Sequence, residues 1–231
     1  MRDPRGWSFL LGGIGVALKV NEIFFSIQGE SSYAGRPCVF VRLTGCNLRC
    51  SYCDTKYAYE EGEELEISDI VNRVTFYQCP VVGVTGGEPL IQKEAPVLIY
   101  RLLEEGYEVL METNGTQDIS QVDDRCVKVV DIKCPSSGQT GHNDLGNLDR
   151  LTSHDEVKFV ISDREDYEYA KQILDLRDEN FFGKNSVHLS PAFGKIEPRT
   201  LAKWILKDHL DVRLNLQLHK VIWDPDQRGE G

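Results

Sequence analysis

The sequence predicts an α/β fold, an open partial (β/α)6 barrel with an extra N-terminal strand. Short apolar runs rich in β-branched residues alternate with amphipathic helical patterns, as in βα units around a parallel sheet. The chain has 231 residues without a polar linker, so it can bury one large core. Six units are too few to close an eight-stranded barrel, so we expect the sheet to stay open.

The elements follow in a regular order along the chain. An extra strand is predicted over Val20–Ile27, ahead of the first unit, and a last one over Leu214–Leu218. The strands of the six units are predicted at Cys38–Leu43, Val81–Val84, Val109–Glu112, Val127–Asp131, Val157–Ile161 and Val187–Leu189. The helices are predicted at Ser68–Phe76 with Ser68 as N-cap, Glu94–Glu105 ended by Gly106, Arg164–Leu176 and Glu197–His209.

The first residues form a segment of their own. Arg2 and Arg5 precede an apolar stretch, as in a secretory signal, but Gly12, Gly13 and Gly15 interrupt it and no clean small-residue cleavage site follows. We therefore expect residues 1–19 to be a poorly ordered extension and residues 20–231 to form one catalytic domain.

The composition of the chain indicates which binding partners it excludes and in which cellular compartment it belongs. Lys and Arg total 26 against 37 Asp and Glu, and a net charge of -11 repels nucleic acid and anionic membranes. No later segment approaches the ~20 apolar residues of a membrane span. Three of the seven cysteines crowd into CNLRCSYC, which indicates metal binding and not disulfides, and hence a reducing, cytoplasmic location.

The crowded cysteines are Cys46, Cys50 and Cys53, with the spacing C-x-x-x-C-x-x-C. A 4Fe-4S cluster takes one thiolate at each iron, so three cysteines on one loop leave one iron open for reaction. The alternative is a structural zinc site, which needs a fourth ligand. Candidates for it are Cys38, Cys79, Cys126 and Cys134, although such cysteines are more often buried small apolar residues.

GCNLRCSYCDT, followed after the next strand by TGGEP, resembles the radical S-adenosylmethionine (SAM) superfamily. The resemblance implies a barrel of the radical SAM type, SAM bound to the open iron, and its reductive cleavage to a 5'-deoxyadenosyl radical. Glu88 would bind the SAM amine and Tyr52 would lie beside the adenine. The implied SAM contacts are Tyr52, Asp54, Gly87, Glu88, Asp131, Lys133, Ser190, Pro191, Ala192 and Phe193.

NEIFFSIQGESSYAGRPCVFVRLTGCNLRCSYCDT, METNGT, DIKCPSSG and QLHKVIW are together similar to the 7-carboxy-7-deazaguanine synthase family. That family converts 6-carboxy-5,6,7,8-tetrahydropterin into 7-carboxy-7-deazaguanine with loss of ammonia, towards queuosine. The resemblance implies an Mg2+ ion at Thr55, a homodimer, and an electron donor such as flavodoxin or ferredoxin. The implied pterin contacts are Ile27, Gln28, Gly29, Arg42 and Thr85.

Two alternatives remain open from the sequence. A radical SAM activating enzyme, which makes a glycyl radical on a partner protein, carries the same cysteine spacing, but the QGE and CDT motifs favour the pterin enzyme. A noncatalytic iron-sulfur or zinc-binding module would leave TGGEP, Arg42 and Thr55 without a role. Cleavage of SAM by the reduced protein would exclude the noncatalytic alternative.

Overall fold

The structure is a computed structural model that describes residues 15–176, 186–224 and 228–229. Its strands are β1 (Ala17–Ile27), β2 (Pro37–Leu43), β3 (Glu63–Glu66), β4 (Val81–Gly86), β5 (Glu108–Thr113), β6 (Val127–Asp131), β7 (Glu156–Ile161), β8 (Ser186–Pro191) and β9 (Arg213–Leu214). The α-helices of the described residues are α1 (Ile67–Phe76), α2 (Ala95–Glu104), α3 (Arg164–Asp175), α4 (Pro198–Asp208) and α5 (His219–Ile222).

The nine strands form one sheet in the order β3-β1-β2-β4-β5-β6-β7-β8-β9. From β2 to β9 all neighbours are parallel, whereas β1 pairs antiparallel with both β2 and β3. The two edge strands do not pair with each other, so the sheet is open. The predicted α/β class, the six parallel strands and the extra N-terminal strand are confirmed.

The strands are apolar because both of their faces are covered. Val81, Val82 and Val84 of β4 are each at most 1% exposed. On one side of the sheet the helices pack through apolar stripes, as α1 does with Ile70 and Val74. The connections after β5 and β6 contain short 3-10 turns in place of α-helices, so two of the six predicted units have no α-helix.

The predicted start of the first helix is wrong. Strand β3, which the sequence pattern did not predict, runs directly into α1 at Ile67. The Ile67 N–H donates to the carbonyl of Val16 (2.9 Å), and the helix N-cap lies two residues before the predicted one. Glu66 occupies the N-cap without a side-chain hydrogen bond, and Ser68 lies in the first helical turn.

Both ends of the domain also differ from prediction. Strand β1 begins at Ala17, so the last residues of the predicted extension pair with β3, and residues 1–14 lie outside the described residues. The predicted last strand is much shorter, because only Arg213 and Leu214 form it. The chain leaves the sheet at Asn215, whose side-chain amide donates to the Ser31 carbonyl (3.2 Å). In the described parts of the chain, no helix combines the length and apolarity needed to cross a membrane.

Candidate active site

A cavity of about 990 Å³ opens at the carboxyl ends of the parallel strands. The turns after β1, β2, β4, β5, β6 and β8 all contribute to its wall, so motifs that are distant in sequence meet there. The predicted residues that line it are Ile27, Gln28, Gly29, Arg42, Cys46, Cys50, Tyr52, Cys53, Asp54, Thr55, Thr85, Gly87, Asp131, Lys133, Ala192 and Phe193. Glu88, Ser190 and Pro191 are buried behind this wall.

The cysteine loop is held in place from its outer side. Gly45 turns the chain out of β2 with a φ of +100°, and its N–H donates to the Ala58 carbonyl (2.8 Å). Leu48 is 2% exposed and anchors the middle of the loop. The Ser51 hydroxyl donates to the carbonyl of Ser136 (2.6 Å). These contacts fix the backbone that carries the three thiols.

The three thiols of the loop line the same cavity. Cys46, Cys50 and Cys53 are free and partly exposed on the cavity. In the residues that the structure describes, no group of three or more His, Cys, Asp or Glu side chains is arranged to hold a metal ion. Thiolates that share one zinc each lie about 2.3 Å from it, whereas a 4Fe-4S cluster spreads its thiolates over different irons. Three thiols from one loop on the cavity match the number of ligands that a 4Fe-4S cluster with one open iron needs.

The Cys46 sulfur accepts two hydrogen bonds but is partly buried. The Leu48 N–H and the Asn114 side-chain amide both donate to its sulfur, at 3.4 and 3.9 Å. Burial raises the pKa of the Cys46 and Cys50 thiols, so the positive charge of iron would be needed to hold them as thiolates. This donor set fits the predicted group.

The other four cysteines are part of the core. Cys38, Cys126 and Cys134 are 0% exposed and Cys79 is 5% exposed. Burial raises the pKa of the Cys38 thiol to about 12, so it stays protonated and packs as a small apolar side chain. The prediction that these cysteines are buried core residues is confirmed.

The glycine-rich turn after β4 packs against the back of the cysteine loop. A Cβ on Gly87 would lie 2.1 Å from the carbonyl oxygen of Gly45, so the turn requires glycine there. The Glu88 side chain is fully buried in this turn, and its contact with the SAM amine stays a prediction. It accepts hydrogen bonds from the N–H groups of Leu90 (3.0 Å) and Asn114 (2.6 Å). Its role in this structure is to tie the turn to the end of β5.

Several predicted SAM contacts present polar atoms that need a partner. The Tyr52 hydroxyl, the Asp131 Oδ1 and the Ser190 hydroxyl are buried and have no hydrogen-bond partner among the described residues. An unsatisfied buried group of this kind costs about 1–3 kcal/mol. Tyr52 and Asp131 line the cavity, so a polar ligand bound there would satisfy them. These residues fit SAM, and the further contacts at Ser190 and Pro191 remain predictions.

The predicted Mg2+ ligand lies on the same cavity. The Thr55 hydroxyl donates to Oδ1 of Asp54 (3.0 Å), and Asp54 also pairs with Lys220. A hydroxyl beside a carboxylate is an oxygen donor set of the kind that Mg2+ accepts. These residues therefore fit the ion.

Arg42 reaches the cavity from the inner face of β2. Its Nε donates to Glu22 Oε1 (2.7 Å), and the Tyr57 hydroxyl donates to the same oxygen (3.0 Å). The guanidinium carbon lies 5.5 Å from the centre of the Phe24 ring. These contacts hold the guanidinium on the cavity wall. Thr85 is the register partner of Arg42 on β4.

The prediction missed three charged residues on the cavity floor, which are Glu30, Glu112 and Lys158. Glu30 and Glu112 lie within the QGE and METNGT motifs, so those motifs contained the signal. Lys158 lies in an apolar strand, and a lysine in the middle of such a strand was the only indication. The Lys158 ammonium lies 2.5 Å from Glu30 and 3.9 Å from Glu112.

The C-terminal segment closes one side of the cavity and was also missed. The Leu218 N–H donates to the Gly29 carbonyl (2.9 Å), and a Cβ on Gly29 would clash with His219. The Gln217 amide donates to Glu30 (2.7 Å). The Lys220 ammonium donates to Asp54 of the cysteine loop. The segment therefore joins the end of β1 to the cysteine loop.

Comparisons with known proteins agree with this site. Residues 40–189 match the Radical SAM superfamily. The 7-carboxy-7-deazaguanine synthase of Koribacter versatilis (strain Ellin345) is 46% identical over 227 residues, which cover 92% of this chain and 100% of that protein. The enzyme of the same name from Chlorobaculum tepidum is 46% identical over 215 residues, covering 92% and 97%.

A solved structure has the same fold. The crystal structure of QueE from Escherichia coli superposes with a TM-score of 0.77, covers 94% of this chain and 100% of its own, and is 22% identical. With the cysteine loop and the open sheet, these matches show that the chain is a radical SAM enzyme, a class that implies a 4Fe-4S cluster and SAM. Within this class it belongs to the 7-carboxy-7-deazaguanine synthase family of lyases.

Proposed function

We propose that the protein converts 6-carboxy-5,6,7,8-tetrahydropterin into 7-carboxy-7-deazaguanine, on the route to deazapurines such as queuosine. The product is the substrate minus ammonia, so the conversion involves no net oxidation or reduction. When bound, the cluster and SAM supply the radical that removes a ring hydrogen. The observation that carries the proposal is the charge layout of the cavity, with a guanidinium on its wall and carboxylates on its floor.

Arg42 receives the substrate carboxylate. Glu22 occupies its Nε, which leaves the terminal nitrogens for two parallel hydrogen bonds to a planar anion. Its position at the end of β2, next to the cysteine loop, places the bound carboxylate close to the site of radical formation. The substrate ring is thereby oriented for hydrogen abstraction.

Glu30 and Glu112 bind the end of the pterin ring that carries its N–H donors. The amino group and the neighbouring ring N–H of a pterin are hydrogen-bond donors that lie side by side, and a carboxylate can accept from both. Burial opposes ionisation of Glu30, but the charges of Lys158 and His219 lower its pKa to about 2, so it is a permanent acceptor. Gln28 joins the pair by donating to Glu112 (3.4 Å).

Thr55 and Asp54 are the residues that would hold Mg2+ in this proposal. Thr55 lies on the cavity wall and supplies a neutral oxygen beside the Asp54 carboxylate. Because Mg2+ keeps part of its water shell and takes few protein ligands, a substrate carboxylate can complete its coordination. The ion would share this carboxylate with Arg42.

The direct test is anaerobic reconstitution of the protein with iron and sulfide, followed by SAM, a reductant, Mg2+ and the carboxypterin. We expect the mass of 7-carboxy-7-deazaguanine and one ammonia for each product. A reaction without SAM is the control. Cleavage of SAM without a new pterin-derived product would contradict the proposed substrate.

The activating-enzyme alternative fits the cavity less well. An enzyme that acts on a partner protein must admit a polypeptide segment, but Lys220 and Asp54 bridge one side of this cavity. Turnover of the carboxypterin in the absence of any second protein would exclude that alternative.

The same proposal includes the partners. Flavodoxin or ferredoxin would reduce the cluster, and the family resemblance supports a homodimer. The oxygen-sensitive cluster also supports the cytoplasmic location predicted from the cysteines. Light scattering of the anaerobic protein would measure the mass of the assembly, and a monomer mass of 26.2 kDa would contradict the dimer.

A further inference from the structure

The ammonium group of Lys158 lies among three carboxylates on the cavity floor. Its Nζ is 2.5 Å from Glu30, 3.7 Å from Asp131 and 3.9 Å from Glu112. The side chain is 9% exposed and lines the cavity. The contact with Glu30 is a charge-assisted hydrogen bond, and the two longer distances are electrostatic.

Lys158 connects segments that are far apart in the chain. It is in register with Asp131 on the neighbouring strand β6. Glu30 follows β1 and Glu112 lies on β5. Val160, two residues further along β7, lines the same cavity, so Lys158 is on the inward face. The lysine thus holds together the part of the floor that faces a bound substrate.

The neighbouring strand offers a matched comparison. Lys128 on β6 is 1% exposed and pairs with Asp155 (3.3 Å), but it is absent from the cavity lining. A buried ammonium needs a paired carboxylate, and Lys128 meets that need away from the cavity. Lys158 instead gathers three carboxylates, all of which line the cavity. Stabilisation of the fold alone does not account for this placement.

The two glutamates beside Lys158 respond differently to it. Burial raises the pKa of Glu112, and the charge of Lys158 offsets this only in part. Glu30, which contacts Lys158 directly, has a lowered pKa despite its burial. Glu30 is therefore an ionised acceptor at neutral pH, and Glu112 is closer to the protonated state.

We propose that Lys158 is a positioning residue for the substrate: it holds the Glu30 carboxylate at the point on the floor where that group accepts hydrogen bonds from the ring N–H donors. This inference rests on the proposed function. Because Lys158 acts through Glu30, its removal weakens binding of the carboxypterin more than it slows the chemical step.

The test compares Lys158→Met with Lys128→Met in the reconstituted enzyme. Each change removes a buried ammonium and keeps an unbranched side chain. We expect Lys158→Met to raise KM for the carboxypterin about 10-fold to 100-fold, with a smaller effect on kcat. Lys128→Met should lower the melting temperature and leave KM within about 2-fold of wild type. An equal rise of KM in both variants would overturn the inference.

Two further variants separate positioning from stability. Lys158→Arg should restore part of the lost affinity, because a cation again faces Glu30. In the Glu30→Gln background, Lys158→Met should change KM by less than about 2-fold, since the group that it positions is already neutral. If Lys158→Met raised KM by the same factor in the Glu30→Gln background as in the wild type, the two effects would be independent, and the inference would be overturned. If Lys158→Met alone fails to retain iron and sulfide, the uncharged double variant Glu30→Gln/Lys158→Met is compared with Glu30→Gln instead.

The outcomes distinguish this inference from the proposed function. If the wild-type protein forms no 7-carboxy-7-deazaguanine, the function and the role of Lys158 both fail. If the wild type turns over and Lys158→Met has an unchanged KM, only the role of Lys158 fails.

Discussion

The cysteine loop and the cavity floor assemble their chemistry in different ways. The loop carries all three cluster thiols on the single segment Cys46–Cys53. The floor brings together Glu30, Glu112 and Lys158, and Glu30 and Lys158 are 128 residues apart. Local spacing is enough to form the loop, whereas the floor exists only when the strands pair in the correct register.

The difference predicts how each region fails when it is changed. In the proposed cluster each thiol of the loop would bind a separate iron, so the loss of one thiol should remove the group. The floor distributes its contacts over several side chains, so single changes there should have graded effects on binding. The following experiments test this contrast, from the largest expected effect to the smallest.

Replacing any one of Cys46, Cys50 or Cys53 by Ala should abolish the 4Fe-4S absorbance or SAM cleavage, because the cluster loses a ligand. Iron analysis and anaerobic spectroscopy measure this. Cys79→Ala and Cys126→Ala are matched controls that remove core thiols, and both should keep the cluster. Loss of the cluster in the controls, with retention in the loop variants, would reverse the assignment.

Gly87→Ala should reduce turnover about 100-fold, because displacement of a reacting group by about 1 Å has that effect. The new Cβ would lie 2.1 Å from Gly45 and 2.6 Å from Cys46 Cβ, so the loop must move. Gly141→Ala is the matched control, because Gly141, like Gly87, has no positive φ, but it has open space around it. Equal losses of turnover in both variants would contradict loop displacement as the cause.

Arg42→Ala should reduce kcat/KM for the carboxypterin about 10-fold to more than 100-fold, since a charge-assisted hydrogen bond is worth about 1.5–3 kcal/mol. Arg42→Lys should recover little, because the charge returns without the planar pair of donors. Steady-state kinetics at low substrate measures both. If Arg42→Ala kept the wild-type kcat/KM, the residue would be structural. The proposed substrate would then be supported only by the QGE and CDT sequence motifs.

Thr55→Ala should raise the Mg2+ concentration needed for half-maximal turnover by about 10-fold or more, as changes at metal sites commonly do. Cluster content should be unchanged, because the thiols remain. The experiment titrates Mg2+ into enzyme treated with chelator. Full activity of the wild-type enzyme without Mg2+ would contradict the assignment.

The sequence predicted the parts of the site that local patterns specify. The cysteine spacing indicated a cluster with an open iron, and the β-branched runs indicated the six parallel strands. The predictions failed where a distant contact decided the outcome. Ser68 lost the N-cap position because Ile67 bonds to Val16, and the last strand ended early because Asn215 bonds to Ser31.

On the cavity floor, too, contacts between distant residues could not be predicted from local sequence. Glu30 and Glu112 lay within quoted motifs, but nothing in their local sequence indicated that they share an ammonium group. Glu88 lay in the most recognisable turn, but the motif did not indicate that its carboxylate accepts hydrogen bonds from the N–H groups of Leu90 and Asn114. Neighbouring loops, which the motif does not contain, decide where this side chain points.

By itself, the sequence determined the cysteine loop and the six parallel strands, because spacing and periodicity act within a few residues. The class of enzyme followed from the resemblance of these motifs to a known family. The tertiary structure alone decided which charges meet on the cavity floor and which side of the cavity the C-terminal segment covers. Electrostatic pairs depend on distance and burial. Only the packing of the strands and loops sets both.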